Sequence, residues 1–146
     1  MRTSFKVQGF RDLENALMDL PKAAAKASVR RVLKRAAQPI ADAGRGNAPE
    51  RMGDLKASYG VGTRLTKRQR KLSRKESEVE VYAGPNDPGA IQTEFGNEHQ
   101  EAEPHLRPAW DAHKGSLLDV IKEFLWADVV KAIARYQRRA AKRAKR

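Results

Sequence analysis

Phe5 and Val7 alternate with Lys6 and Gln8, so residues 1–10 predict a short strand with one buried face. From Arg11 the period changes. Leu13, Ala16, Leu17 and Leu20 recur at helical spacing, which predicts a short helix over 11–20 that Pro21 closes while opening the next. Val29, Val32, Leu33, Ala36 and Ile40 make the apolar stripe of a second helix over about 21–43, with Lys26, Arg30, Lys34 and Arg35 placed elsewhere around it. Pro39 predicts a bend near 35–38, and the stretch 44–49 an end to that helix.

Alternation returns at Leu55, Ala57, Tyr59 and Val61, and again at Val79, Val81 and Ala83. These runs predict an antiparallel hairpin whose long connection is functional or disordered. The breaker cluster 84–89 precedes a short turn of helix over 90–95, and Pro104 and Pro108 bracket an extended segment. Trp110, Leu117, Val120, Ile121, Phe124 and Leu125 then mark a last helix that runs past Val130. The expected fold class is α+β: a small antiparallel sheet with a long hairpin, packed against a long N-terminal and a long C-terminal helix. Phe95, Trp110, Leu117, Ile121 and Phe124 are expected to share its core with Val32, Leu33 and Ile40.

Composition narrows this to one domain over 1–130 with a helical extension over 131–146, since 146 residues can bury about two thirds of the extended chain's surface without staples. The absence of cysteine removes thiol chemistry, disulfides and cysteine-ligated metals. No apolar run approaches the ~20 residues that span a bilayer, and residues 1–10 lack the apolar stretch of a secretory signal, so a soluble protein made in the cytoplasm, with no membrane partner, is expected. The net charge of +12 is concentrated in two places. Residues 64–75 carry seven basic and no acidic side chains, and 129–146 carry eight and none, so the remainder is slightly acidic.

Three landmarks occur in order along the chain. Ala48-Pro49 is followed after three residues by Gly53-Asp54-Leu55-Lys56-Ala57-Ser58; then come Thr93-Glu94-Phe95-Gly96 and Pro104-His105-Leu106-Arg107-Pro108-Ala109. Together they resemble the tail-completion, or head-tail joining, family of lambda-like long-tailed bacteriophages over about residues 5–130. Met52 stands where that family usually has Thr, and His105 where it has Phe. The resemblance implies a structural protein of the phage neck, assembled in the host cytoplasm, which forms a homo-oligomeric ring. Its implied partners are the head connector (adaptor or stopper) proteins and the tail terminator, with duplex DNA in the lumen as a further contact.

The chemistry of the landmarks is structural. Pro108 suits a first helical turn and pushes Arg107 toward an extended conformation, from which Arg107 can pair with Glu94 and tie the last helix to the middle of the fold. The bland alternative is an exposed, nearly neutral pair. Gly96 would allow a positive φ after a core Phe95. Pro49, Gly53, Leu55, Pro104, Leu106 and Ala109 complete the structural set.

His99, His105 and His113, with Glu98, Glu101, Glu103 and Asp111, are the one cluster resembling metal ligands, but they lack a His-x-x-x-His spacing and read as solvated or partner-facing. Gly60 and Gly62 lack the Gly-Lys-Ser/Thr ending of a phosphate loop, and no nucleophile motif is present. Neither an enzyme nor a cofactor is expected.

Two basic segments remain. Arg64, Lys67, Arg68, Arg70, Lys71, Arg74 and Lys75 make either a solvated hairpin tip or an arm that orders against an acidic subunit or DNA phosphates. Arg135, Arg138, Arg139, Lys142, Arg143, Lys145 and Arg146 combine good helix formers with like charges at i,i+4, predicting a tail that frays alone and becomes helical on a partner. A neck ring subunit is the leading reading; a nucleic-acid-binding accessory protein, a tail terminator ring and a metal-dependent hydrolase are its rivals.

Overall fold

The computed structural model describes residues 10–51 and 53–145. The strand expected over 1–10 lies outside these residues except for Phe10, which opens helix α1 (Phe10–Met18). There follow α2 (Lys22–Asn47), a single turn α3 (Asp54–Ala57), β1 (Tyr59–Gly62), α4 (Lys67–Leu72), β2 (Tyr82–Pro85), α5 (Ala90–Phe95) and α6 (Leu106–Ala144). The class is α+β. β1 and β2 form a two-stranded antiparallel sheet, Tyr59 facing Pro85 and Gly62 facing Tyr82.

The axis of the fold is α2 against α6. Arg31 of α2 donates to Asp128 of α6 at 2.9 Å, while Asn47, at the other end of α2, donates to the carbonyl of His105 at 3.2 Å. Residue numbers rise along one helix as they fall along the other, so the pair is antiparallel. Leu13 and Leu20 of the α1 region close over one end, making a core with Val32, Leu125, Val129 and Ala132. A second, smaller core lies at the other end, where Ala41, Ala48 and Tyr59 meet Leu55, Val61, Ala83 and Leu106.

Several expectations are corrected. Helix α2 ends inside the 44–49 stretch as expected, but at Asn47 and not at 43, and it buries Ile40, Ala41 and Gly44 beyond Pro39. The alternation at Leu55 and Ala57 is not a strand: Gly53 takes φ +76°, and Ala57 and Ser58 donate to the carbonyls of Gly53 and Asp54, closing a helical turn before β1 begins. β2 lies over 82–85 rather than 79–83, taking in Gly84 and Pro85 from the supposed breaker cluster. Pro85 is tolerated there because the two-stranded sheet leaves one side of each strand unpaired.

The basic connection between the strands holds a short helix over 67–72 within otherwise irregular chain. Thr66 accepts from the Gln69 backbone while the Gln69 side chain accepts from the Thr66 backbone, a reciprocal capping box that opens α4. Gln69 also donates to the Pro85 carbonyl at 3.3 Å, fastening the helix to β2. The basic tail is helical in this structure, since α6 runs without interruption for 39 residues, roughly 58 Å. Ala132 and Ile133, inside the segment set apart as an extension, still belong to the larger core.

The core also differs in membership. Phe95 is 61% exposed and Trp110 about half exposed, whereas Leu125 and Val129, one turn apart, carry the α6 contribution. Ile121 and Phe124 do pack against the core that holds Val32, and Ile40 is buried, but Leu33, Trp110 and Leu117 border an open cleft that Ile40 and Ile121 also line.

Close packing between α2 and the sheet generates a test. A Cβ at Gly44 would stand 2.5 Å from the Tyr59 ring, which is buried and held at its hydroxyl. Gly46, two residues on, has nothing within 4 Å of such an atom. Ala in place of Gly gains up to about 1 kcal/mol of helix propensity at either site, and overpacking costs about 1–3 kcal/mol. Gly46→Ala should therefore stabilise by up to about 1 kcal/mol and Gly44→Ala destabilise by up to about 2 kcal/mol, read as a raised and a lowered urea midpoint; equal effects would refute the close approach.

Candidate functional site

A helix begins with backbone N–H groups that have no partner within it. At the start of α6 these belong to His105, Leu106 and Arg107, and no side chain of the local sequence caps them. The carboxylate of Glu94, at the end of α5, does so from eleven residues upstream. Oε2 accepts from the backbone N–H groups of His105 and Leu106 at 2.9 Å each, and Oε1 accepts from that of Arg107 at 3.0 Å. Pro108 comes next and has no N–H. Every donor of the first turn through residue 108 is thus satisfied or absent.

Arg107 adds its side chain to the same group. Its Nε donates to Glu94 Oε1 at 3.0 Å and its Nη2 to the Glu94 carbonyl at 2.9 Å, while the guanidinium lies 4.5 Å over the Phe95 ring. The pairing is two-pronged, but one prong reaches the main chain and not the second carboxylate oxygen. Arg107 itself is helical, not extended: Pro108 is the third residue of α6 and clashes with no earlier helical turn. Glu94 is only 5% exposed while the Arg107 side chain is half exposed, so the pair is buried on its acidic side and open on its basic one.

Gly96 makes this placement possible. Its φ of +73° turns the chain after α5, and a Cβ there would stand 2.9 Å from Ala102 N and Gln100 O. The chain doubles back through a bridge between Asn97 and Gln100, and Glu103 donates to the Thr93 carbonyl at 2.8 Å, delivering residues 105–107 to the carboxylate.

Behind the clasp sits His105, fully buried, where a solvated or partner-facing histidine was expected. Its Nδ1 meets the Tyr59 hydroxyl and lies 3.4 Å from Glu94 Oε2. Its Nε2 has no hydrogen-bond partner. Burial pushes the Tyr59 phenol up, and the Glu94 charge pushes it further. Burial also pushes the Glu94 carboxyl up, but the three backbone N–H groups and Arg107 outweigh it and hold the group at about 2.

The other singled-out residues fall into place around this cluster. Ala109 is buried under the first turn, Leu106 and Leu55 pack on the Tyr59 core, and Pro49 is half-buried beside Gly53 along a shallow groove. Pro104 and Pro108 are exposed. Arg64, Lys67, Arg68, Arg70, Lys71, Arg74 and Lys75 are exposed on and around α4; Arg135, Arg138, Arg139, Lys142, Arg143 and Lys145 are exposed on the last turns of α6. Arg146 lies outside the described residues. Among the described residues no three His, Asp or Glu side chains come together as metal ligands, and no helix is long and apolar enough to cross a membrane.

Sequence reasoning did not single out an open apolar cleft of about 400 Å³ between α2, α6 and the segment entering β2. Its walls include Leu33, Ile40, Val81, Trp110, Leu117 and Ile121, and its only charged lining residue is Arg107. The stripe on α2 was visible in the sequence; that it lines a cleft was not, because the partner stripe on α6 leaves Trp110 half exposed.

Against known proteins, the HK97-gp10-like family model, described as "Bacteriophage HK97-gp10, putative tail-component", matches residues 11–96. That span takes in α1 to α5 and both strands. No curated protein and no solved structure matches the chain.

The clasp makes stability depend on acid in a fixed direction. Unfolded, the Glu94 carboxyl takes up its proton near 4.5; folded, it does so at about 2. Its contribution, on the order of 3 kcal/mol, is complete above pH ~5 and is lost as pH falls toward 2. Glu94→Gln places an NH₂ against backbone donors and should cost a similar amount at pH 7. It should also flatten the acid limb of a urea-midpoint profile; an unaltered limb would show that other carboxylates govern it.

Proposed function

The chain belongs to the HK97-gp10-like family of bacteriophage tail components, and from that premise we propose that it is a subunit of the virion's head-tail junction, assembling into an oligomeric ring between the head connector and the tail. That it is a phage tail-related structural component follows from the family. The place at the neck and the ring are our reading. The observation that carries it is the clasp: the most elaborate polar cluster among the described residues serves to aim a helix, its carboxylate being taken up by three backbone donors and Arg107. A subunit whose buried chemistry is spent on angle and rigidity suits an assembly whose fit depends on both, so the role is structural and not catalytic.

A closed ring requires heterologous contacts, in which one face of a copy meets a different face of the next. The apolar cleft supplies a concave face, and the protruding end of α6 and the α4 tip supply reach. Connector proteins on one side and the tail terminator on the other are the partners this reading requires.

The two basic segments favour a second reading, contact with duplex DNA. Cutting the chain at 129 cannot test it, because Val129 and Ala132 are buried in the core. Removal of residues 135–146 spares that core. Under our reading the full chain binds duplex only feebly at near-physiological salt, because a lumen lined with cations would hold the phosphates that must pass through it. Submicromolar duplex binding that disappears with 135–146 would favour the DNA reading instead. For the primary reading, deleting the gene should leave DNA-filled heads and separate tails, visible by electron microscopy and joined when the protein is added back. Normal infectivity without it would overturn the proposal.

A further inference from the structure

Beyond Ile133, α6 leaves the body of the protein, and every described residue from 134 onward is exposed. The helix is nevertheless patterned. Trp126, Val130, Ile133, Gln137, Ala140 and Ala144 are spaced by four, three, four, three and four residues, the spacing that lines one seam of a helix facing another helix. The seam is open where it begins: Trp126 is 49% and Val130 51% exposed.

The charges say what covers it. Next to the seam on one side stand Ala127, Ala134 and Ala141; on the other, Val129, Tyr136 and Arg143. The remaining described cations of the arm, including Arg135, Arg138 and Arg139, occupy the positions turned away from the seam. A partner selected for attraction to the cations would meet them on the opposite face. The seam itself carries no charge and has alanines along one flank, so it accepts an uncharged helix that can approach closely on that side, which is what this same segment offers.

We propose that the seam is the docking surface for the same seam of a second copy of this chain, the two helices running antiparallel. Antiparallel pairing about residue 135 sets Trp126 against Ala144, Val130 against Ala140, and Ile133 against Gln137, each large side chain opposite a smaller one. Parallel pairing would set Trp126 against Trp126 and leave Ala144 facing Ala144, with crowding at one end and a gap at the other. Direction also settles the electrostatics. N-terminal to Trp126 the same stripe continues through Glu123 and Asp119, both exposed. The antiparallel arrangement sets Lys145 of one copy opposite residue 125 of the other, within a helical turn of Glu123, whereas the parallel one brings two basic tips together. The contact is isologous and two-fold, so it goes beyond the heterologous faces that a ring requires and couples copies in a different way.

The absence of cysteine makes the test direct. Val130→Cys and Ala140→Cys, prepared separately in the full chain, should each stay uncross-linked under mild oxidation and should form a covalent dimer when mixed. Val130→Asp, at a half-exposed site, should keep its circular dichroism and weaken self-association in sedimentation by tenfold or more. Cross-linking of Ala140→Cys with itself would overturn the antiparallel register. No mixed cross-link, with Val130→Asp sedimenting as wild type, would overturn the seam altogether. Higher oligomers persisting in that case would leave the ring standing, and paired chains without rings would do the reverse.

Discussion

One carboxylate determines where the longest element of this protein starts and where it points. The α6 N-terminus presents donors that its own sequence does not cap, and Glu94 takes three of them while Pro108 removes the fourth. The helix dipole favours a negative charge at this spot, and burial strengthens the interaction while raising the penalty for losing either side of it. Arg107 then returns a positive charge to the same group, so the buried anion is both hydrogen-bonded and paired. A capping residue within the helix's own flank would fix only its end. A cap supplied from α5 fixes the direction of α6 relative to α5 as well, and through the Glu103–Thr93 bond the loop between them.

The second layer transmits that constraint to α2. His105 meets the Tyr59 hydroxyl, the Tyr59 ring lies where only a glycine at 44 leaves room, and Arg45 donates to the Tyr59 carbonyl at 2.9 Å. The start of α6, the sheet and the last turns of α2 therefore share one rigid knot. At the far end the two helices are held differently, by Leu125, Val129 and Val32 under the α1 region and by the Arg31–Asp128 pair at the rim. Burial raises the Asp128 carboxyl, and hydrogen bonds from Arg31 and Ser28 more than reverse this. Between knot and core lies the apolar cleft, which exists because α2 and α6 are fastened at both ends without filling the middle.

What could be read in the sequence was mostly local. Periodicity located α1, α2 and α6, and the positive φ at Gly96 followed from a glycine after a short helix. The failures have local causes too. Leu55 and Ala57 alternate like a strand, but Gly53 in the left-handed region starts a helical turn that overrides the pattern. The helix in the connection between strands went unread although Thr66-x-x-Gln69 spells a capping box. Phe95 was placed inside because it is aromatic, yet the buried residue at that site is its charged neighbour. Burial of a carboxylate cannot be inferred from spacing, because it depends on three donors that arrive from elsewhere in the chain. His105 illustrates the same limit: a histidine in a polar, turn-rich stretch looked solvent-facing, and its contacts with the Tyr59 hydroxyl and Glu94 explain its place inside.

The tail shows how the two kinds of information combine. Like charges at i,i+4 weaken an isolated helix by a few tenths of a kcal/mol per pair, which argued for fraying. That penalty is small against what precedes it, because the tail is not an isolated helix. It extends a helix already nucleated at Glu94 and packed as far as Ile133, so each further residue adds a hydrogen bond without the cost of a new nucleus. Good helix formers then suffice to carry the order to Ala144. Once the tail is helical, its sequence acquires a face: cations that looked evenly spread along the chain collect on one side, and the residues between them line up on the other. The clasp at residue 94 thus decides, some fifty residues away, that the basic segment is a patterned surface and not a cloud of charge.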